Sequence, residues 1–169
     1  MTEEVGELVQ RDNYVQSQAI SNIFAGGGEA LDAHVRLIRM LEREGRLNRE
    51  IEFLPDEEEI TRRFNAREGL TRPEISVLMP YAKLWLYDEV LHSDLPDDPI
   101  LVEELVRYFP TPLRKKYTDA VSHHRLRREI IATVGINSLV NRLGGTFVHD
   151  MMEATGFSAV DVSRGYLIS

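Results

Sequence analysis

Five histidines, a triglycine and a run of four acidic residues are where this sequence could first do chemistry. The histidines are His34, His92, His123, His124 and His149, and no two of them form an H-x-x-x-H pair. His123 and His124 are adjacent, so a helix would aim them to different sides. His149 and Glu153 stand four apart on one helical pattern and could supply two metal ligands. A zinc site needs at least a third, and none is in view, so no metal-binding residue is assigned. Gly26-Gly27-Gly28 has neither the strand before it nor the G-x-G-x-x-G spacing of a dinucleotide cradle. It follows a helical pattern and is expected to be a flexible connector near residues 25–29. Gly144-Gly145 fails in the same way and is expected to stop a helix. Asp56-Glu57-Glu58-Glu59 lacks the alternating oxygen donors and the sixth-position glycine of a calcium loop. Those carboxylates suit the positive end of a helix. With no cysteine, there is no thiolate nucleophile and no zinc site built on sulfur. No other nucleophile has a base at usable spacing, so no catalytic and no cofactor-binding residue is assigned.

The elements around these residues show helical periodicity, and strict alternation over strand length is missing. Helices are expected over residues 2–24, 29–44, 56–67, 71–91, 100–108, 112–143, 146–155 and from 158 onward. The first carries Val5, Leu8, Val9, Val15, Ala19 and Ile23 as a broken apolar stripe. In the connection over residues 46–55, Leu47, Ile51, Phe53 and Leu54 are expected to reach the core. Gly45 and Gly69 are placed to end helices. Thr71-Arg72-Pro73-Glu74 is the clearest local signal: a Thr cap, Pro in the first turn, and Glu three residues on. Pro80, in the helix that follows, removes one backbone donor and is expected to kink it. The 112–143 zone is expected to bend near Ser122–His124, with Leu126, Ile130 and Val134 on its buried stripe. Asn137 and Asn141 lie on or near that stripe, where a buried amide must be hydrogen-bonded, so both are expected to tie the helix to a neighbour.

The chain has 169 residues, 43% of them hydrophobic, and a formal net charge of −8. That length can fold as one domain, 1–169, burying roughly 70% of the surface its unfolded chain exposes. The apolar content is too high for a disordered chain. No apolar run approaches the roughly 20 residues that cross a bilayer, and the acidic Met1-Thr2-Glu3-Glu4 is unlike a signal peptide, so no membrane and a cytoplasmic location are expected. The acidity argues against nucleic acid as a partner. Charge is uneven: residues 1–110 hold 12 basic and 23 acidic side chains, and residues 111–169 hold 8 and 5. Arg114, Lys115, Lys116, Arg125, Arg127 and Arg128 form most of the basic excess. With no aromatic stacking platform interleaved, that 114–128 segment is expected to face an acidic part of this chain or a neighbour.

Several runs together resemble a segment of the large bacterial NAD-specific glutamate dehydrogenases. They are Met1–Val5 with Leu8-Val9 and Arg11–Tyr14, Gly69–Glu74 with Val77-Leu78 and Tyr81–Lys83, Ser93–Pro99, and Tyr108–Pro110. Leu126–Thr133, Asn137, Val140–Arg142, Phe147 and Glu153–Gly156 complete the pattern, while the Gly26–Gly28 neighbourhood and residues 46–65 match least. The resemblance implies the helical region beyond the dinucleotide-binding domain, toward the C-terminus of a much longer polypeptide. The parent would convert L-glutamate, NAD and water to 2-oxoglutarate, ammonia and NADH. Its substrate lysines, catalytic aspartate and nucleotide-binding glycines would lie upstream, so none is carried onto a residue here and NAD is expected only in the parent.

The expected fold is therefore all-α, an irregular bundle of seven to eight helices centred on residues 71–91 and 126–143. The final helical pattern has no stop signal before the sequence ends, which suggests a fragment of a larger protein. The expected role is structural, assembly-related or regulatory. Its expected partners are the catalytic domains of the same polypeptide and, in a homo-oligomer, other copies. The alternative is a free-standing helical interaction module that uses the basic segment to hold an acidic partner.

Overall fold

A computed structural model describes residues 2–168. Met1 and Ser169, at the acidic start and at the end of the last helical pattern, lie outside the described residues. The described residues are all-α, with no strand among them. Ten α-helices appear where seven to eight were expected, eight of them seven residues or longer. They are α1 (Thr2–Ala25), α2 (Leu31–Arg43), α3 (Glu57–Ala66), α4 (Arg72–Leu91), α5 (Val102–Tyr108), α6 (Thr111–Lys116), α7 (Thr118–Ser122), α8 (Arg127–Leu143), α9 (Phe147–Thr155) and α10 (Ala159–Leu167). Three 3₁₀ turns join them at Gly27–Ala30, Leu95–Asp97 and Pro99–Leu101.

The extra helices come from the 112–143 zone, which breaks twice. Tyr117 leaves helical geometry at φ −128°, ψ 39°. Farther on, the His124 ring Nδ1 accepts the Leu126 amide at 3.1 Å, a local bond that competes with the helical one. Because α8 starts only at Arg127, its buried face differs from the expected stripe. Ile131, Ala132, Gly135, Ile136, Leu139 and Val140 are inside, whereas Ile130 and Val134 are half-buried and Leu126 is exposed. Arg128 donates to the carbonyls of Leu91 and Ser93 at 2.8 Å each, covering the C-terminal end of α4, and both Arg127 and Arg128 pair with Asp97. Two members of the basic segment are thus spent on an acidic residue of the same chain.

The centre is α4 packed on α8, with α2, α5 and α10 around them. The start of α4 is as its sequence dictates. The Thr71 hydroxyl accepts from the Glu74 amide and the Glu74 carboxylate accepts from the Thr71 amide, a reciprocal cap. α4 runs on through Pro80, which stands on its exposed side. α2 ends on Gly45 at φ +69°, with Gly45 N–H donating to Glu42 O and Arg46 N–H to Leu41 O. That left-handed closure is the one expected of a glycine there. α2 buries Leu31, Val35, Leu37, Ile38, Met40 and Leu41.

Three expectations fail locally. In the 46–55 connection, Asn48 Oδ1 accepts from the amides of Glu50 and Ile51 and turns the chain. Leu47 and Leu54 reach the core from either side of that turn, while Ile51 and Phe53 point to solvent, Phe53 at φ +54°. α3 ends on Arg67 in the left-handed region, not on Gly69. In α1 only Ala19, Ile20 and Ile23 pack on the core; Val5, Val9 and Val15 of the expected stripe are exposed, as are Tyr14 and Phe24.

The triglycine does steric work. A Cβ on Gly28 would stand 2.4 Å from the Arg67 carbonyl oxygen, and one on Gly69 would stand 2.3 Å from that of Gly27. The α1–α2 joint and the α3–α4 joint therefore cross backbone against backbone. Beside this crossing, Arg63 donates to both oxygens of Glu74 at 2.7 and 2.9 Å and to Glu59 at 2.7 Å, with the Arg63 and Glu74 side chains almost buried.

Candidate functional site

Two of the four buried polar residues among the described ones, His34 and His149, lie along one seam, where α2 meets α9. Asp32 and Arg36 stand one turn apart on α2, His34 projects from another side of the same helix but close enough to Asp150 to feel its charge, and α9 adds His149, Asp150 and Glu153. The Arg36 guanidinium donates to Asp150 at 2.7 Å, lies 2.8 Å from Glu153, and also pairs with Asp32. Its pKa is raised, first by the Asp150 bond against the cost of burial. Three carboxylates thus surround one fixed positive charge.

Two histidines are buried beside this cluster. Burial pushes the His34 imidazole below its ordinary value, against the pull of the Ala30 carbonyl and of Asp150. His149 is 5% exposed, and its Nδ1 has no hydrogen bond and lies 3.7 Å from Glu153. A buried polar atom without a partner costs the full desolvation of that atom, so an orphan on this seam calls for a reason.

The seam separates two hollows. One, of about 290 Å³, is walled by Ala19 and Ile23 of α1, by Ala30 and His34, and by Asn141 and Thr146. Asn141 Oδ1 is buried there with no partner, and Asn137 is exposed, so neither asparagine makes the bridge expected of it. The shift in the buried face of α8 is the reason: position 137 rotates outward and 141 lands on the rim. The other hollow, of about 450 Å³, has an apolar floor of Met40, Trp85, Met152 and Phe157 and an acidic rim of Glu44 and Glu89. Of the expected pair, His149 and Glu153 are brought together and both line this second groove. The residue missed by spacing alone is Asp150, which sits next to His149 and therefore shows no repeat, yet donates an oxygen to the same corner.

Gly26–Gly28, the one glycine-rich run before the seam, offers no phosphate cradle. The Arg67 carbonyl already covers Gly28, and a carbonyl oxygen repels an anion. No described helix is long and apolar enough to cross a membrane.

Comparison with known proteins bears on what this seam belongs to. Residues 67–169 match the family described as glutamate dehydrogenase, C-terminal. The chain is 42% identical over 169 residues to the NAD-specific glutamate dehydrogenase of Halomonas elongata, covering all of this chain and 10% of that protein. It is 44% identical over 168 residues to that of Pseudomonas aeruginosa and 42% identical over 167 residues to that of Mycobacterium tuberculosis, each covering 99% of this chain and 10% of the relative. The chain thus spans about a tenth of the length of the curated relatives it matches.

Proposed function

This chain belongs to the glutamate dehydrogenase C-terminal family, and from that premise we propose that it is a non-catalytic helical domain of an NAD-dependent glutamate dehydrogenase. The rest of that polypeptide would bind NAD and L-glutamate and carry out the oxidative deamination to 2-oxoglutarate and ammonia. This part would pack against the catalytic domains, support a homo-oligomer and pass on regulation, in the cytoplasm. The observation that carries the reading is its share of the relatives: the whole chain aligns within a tenth of proteins named for an NAD-linked oxidation. Hydride transfer needs a scaffold that holds nicotinamide against substrate, usually a βαβ unit, and the described residues are helices and turns alone.

The exposed apolar residues of α1 support the packing role. Val5 and Val9 share one side of this long helix, and Tyr14, Val15 and Phe24 are exposed on its other sides, apolar side chains of the kind that other protein covers. Lys115 and Lys116 are exposed at the end of α6 and Arg125 follows, so part of the basic segment remains open to an acidic neighbour.

The direct test is NADH formation from glutamate and NAD. The isolated chain is expected to give none; measurable turnover by it would overturn the assignment. In the full-length polypeptide, Val5→Glu with Val9→Glu is expected to weaken assembly while leaving the helix formed. Unchanged assembly would remove the packing role of α1.

A further inference from the structure

We propose that the His149–Asp150–Glu153 corner of α9 is a binding site for a zinc-like divalent cation, which exchanges with the Arg36 guanidinium resting there. One ligand atom from each of the three residues lies within 4.8 Å of the others. An imidazole nitrogen with two carboxylates is a donor set that suits zinc and its neighbours better than magnesium or calcium. Zinc binds such donors at about 2.0–2.2 Å, which puts tetrahedral ligands about 3.4 Å apart. The corner must tighten by up to about 1.4 Å, a movement that rotation of Asp150 and Glu153 on the surface of α9 supplies.

The observation that points to a ligand is His149. Its side chain is almost wholly buried, its Nδ1 has no hydrogen bond, and that atom faces Glu153 Oε2 across 3.7 Å. A cation between them would give the His149 nitrogen its missing partner and take the place of Arg36 at Glu153. Charge favours the same occupant: Asp32, Asp150 and Glu153 set three negative charges against the single positive charge of Arg36, leaving the deficit that a divalent ion fills. Displacing Arg36 is feasible because its pairs with Asp150 and Glu153 are part-exposed and so individually weak. Asp32, one turn back on α2, keeps the guanidinium partnered when it leaves. His149 and Glu153 also line the 450 Å³ groove, so a fourth ligand can enter from that side.

Isothermal titration of Zn²⁺ into the full 169-residue chain tests this, with Co²⁺ as an optical probe of the ligand set. One saturable equivalent is expected, with no comparable signal from Mg²⁺. Glu153→Gln and Asp150→Asn, both at solvent-accessible positions, are each expected to weaken Zn²⁺ at least tenfold. Arg36→Met is expected to tighten it by removing the resident competitor. Bound Co²⁺ is expected to show the intense visible absorption of four-coordinate geometry, and His149→Gln is expected to abolish it. Absence of saturable binding, or Zn²⁺ affinity unchanged in Glu153→Gln and Asp150→Asn, would overturn the proposal. So would Arg36→Met binding more weakly than the parent chain. Because Glu153→Gln changes one exposed side chain, the test stands even if His149→Gln does not fold.

Discussion

Replacing Gly28 with alanine separates a flexible connector from a steric wedge. A Cβ there would lie 2.4 Å from the Arg67 carbonyl oxygen and 2.5 Å from its carbon, where ordinary contact begins at 3.4 Å. The two joints would have to part by about 1 Å, and neither side is the yielding tip of a side chain. Overpacking of this kind costs about 1–3 kcal/mol, and two rigid backbones put it at the upper end. The lower chain entropy of alanine in the unfolded state offsets roughly 0.4–1 kcal/mol. The net loss is about 2 kcal/mol, or about 4–8 °C in Tm for a chain of this size. Gly6→Ala is the control: nothing lies within 4 Å of its Cβ position and it sits inside α1. That change should stabilise by about 0.5–1 kcal/mol, because alanine is the better helix former. Thermal unfolding followed by far-UV circular dichroism reads both variants. If Gly28→Ala melts with or above the parent chain, the wedge is refuted and the segment is a connector.

Other outcomes follow from the same geometry. Glu59 is held at about 2 against an ordinary 4.5, first by Arg62 and then by Arg63. Burial would push Glu74 up, but Arg63 and Thr71 together hold it below its ordinary value. Both carboxylates are depressed in the folded state, so the stability they lend is complete above about pH 4.5 and is lost as pH falls toward 2. Glu59→Gln with Glu74→Gln should flatten that acid limb in a series of melts, and an unchanged limb would count against the pairing. Removing Glu74 alone, as Glu74→Ala, takes both bidentate bonds from an almost buried Arg63, leaves it with the part-exposed Glu59, breaks the Thr71 cap, and should cost about 3 kcal/mol in urea unfolding. Ile136→Asp, at a site 1% exposed, should remove cooperative folding, while the half-buried Ile130→Asp should leave a measurable melt; equal losses would mean the buried face of α8 is misplaced.

Residues whose structure depends on near neighbours were legible in advance. Thr71 and Glu74 form their cap because the bonds span three residues, and Gly45 closes α2 because its neighbours need a left-handed position there. The all-α class was legible too, since period and glycine placement agree across the chain. What escaped depends on side-chain to backbone bonds that leave no periodic trace, or on partners far away in sequence. Phe53 is as apolar as Leu54, but the Asn48 turn decides which one faces inward. Gly28 and Gly69 look like punctuation until the crossing brings them together. The buried face of α8 hangs on where the helix begins, and that was fixed by the imidazole of His124, which no periodicity records. At the α2–α9 seam, His149 and Glu153 were legible as a pair from their spacing. Asp150 and Arg36 were not, since one has no repeat and the other belongs to a different helix.

The placement of α2 has a practical consequence for anyone dissecting this protein. The family match begins at residue 67, which would invite an excision there. Yet Leu31, Leu37, Ile38 and Leu41, all upstream of that point, are among the least accessible side chains of the molecule, and Arg36 holds α9 from the same helix. A piece trimmed to 67–169 would bare the apolar surface that α2 now shields, and it should be sticky and poorly cooperative. The start of that family match is therefore not a point at which this polypeptide can be cut and still fold.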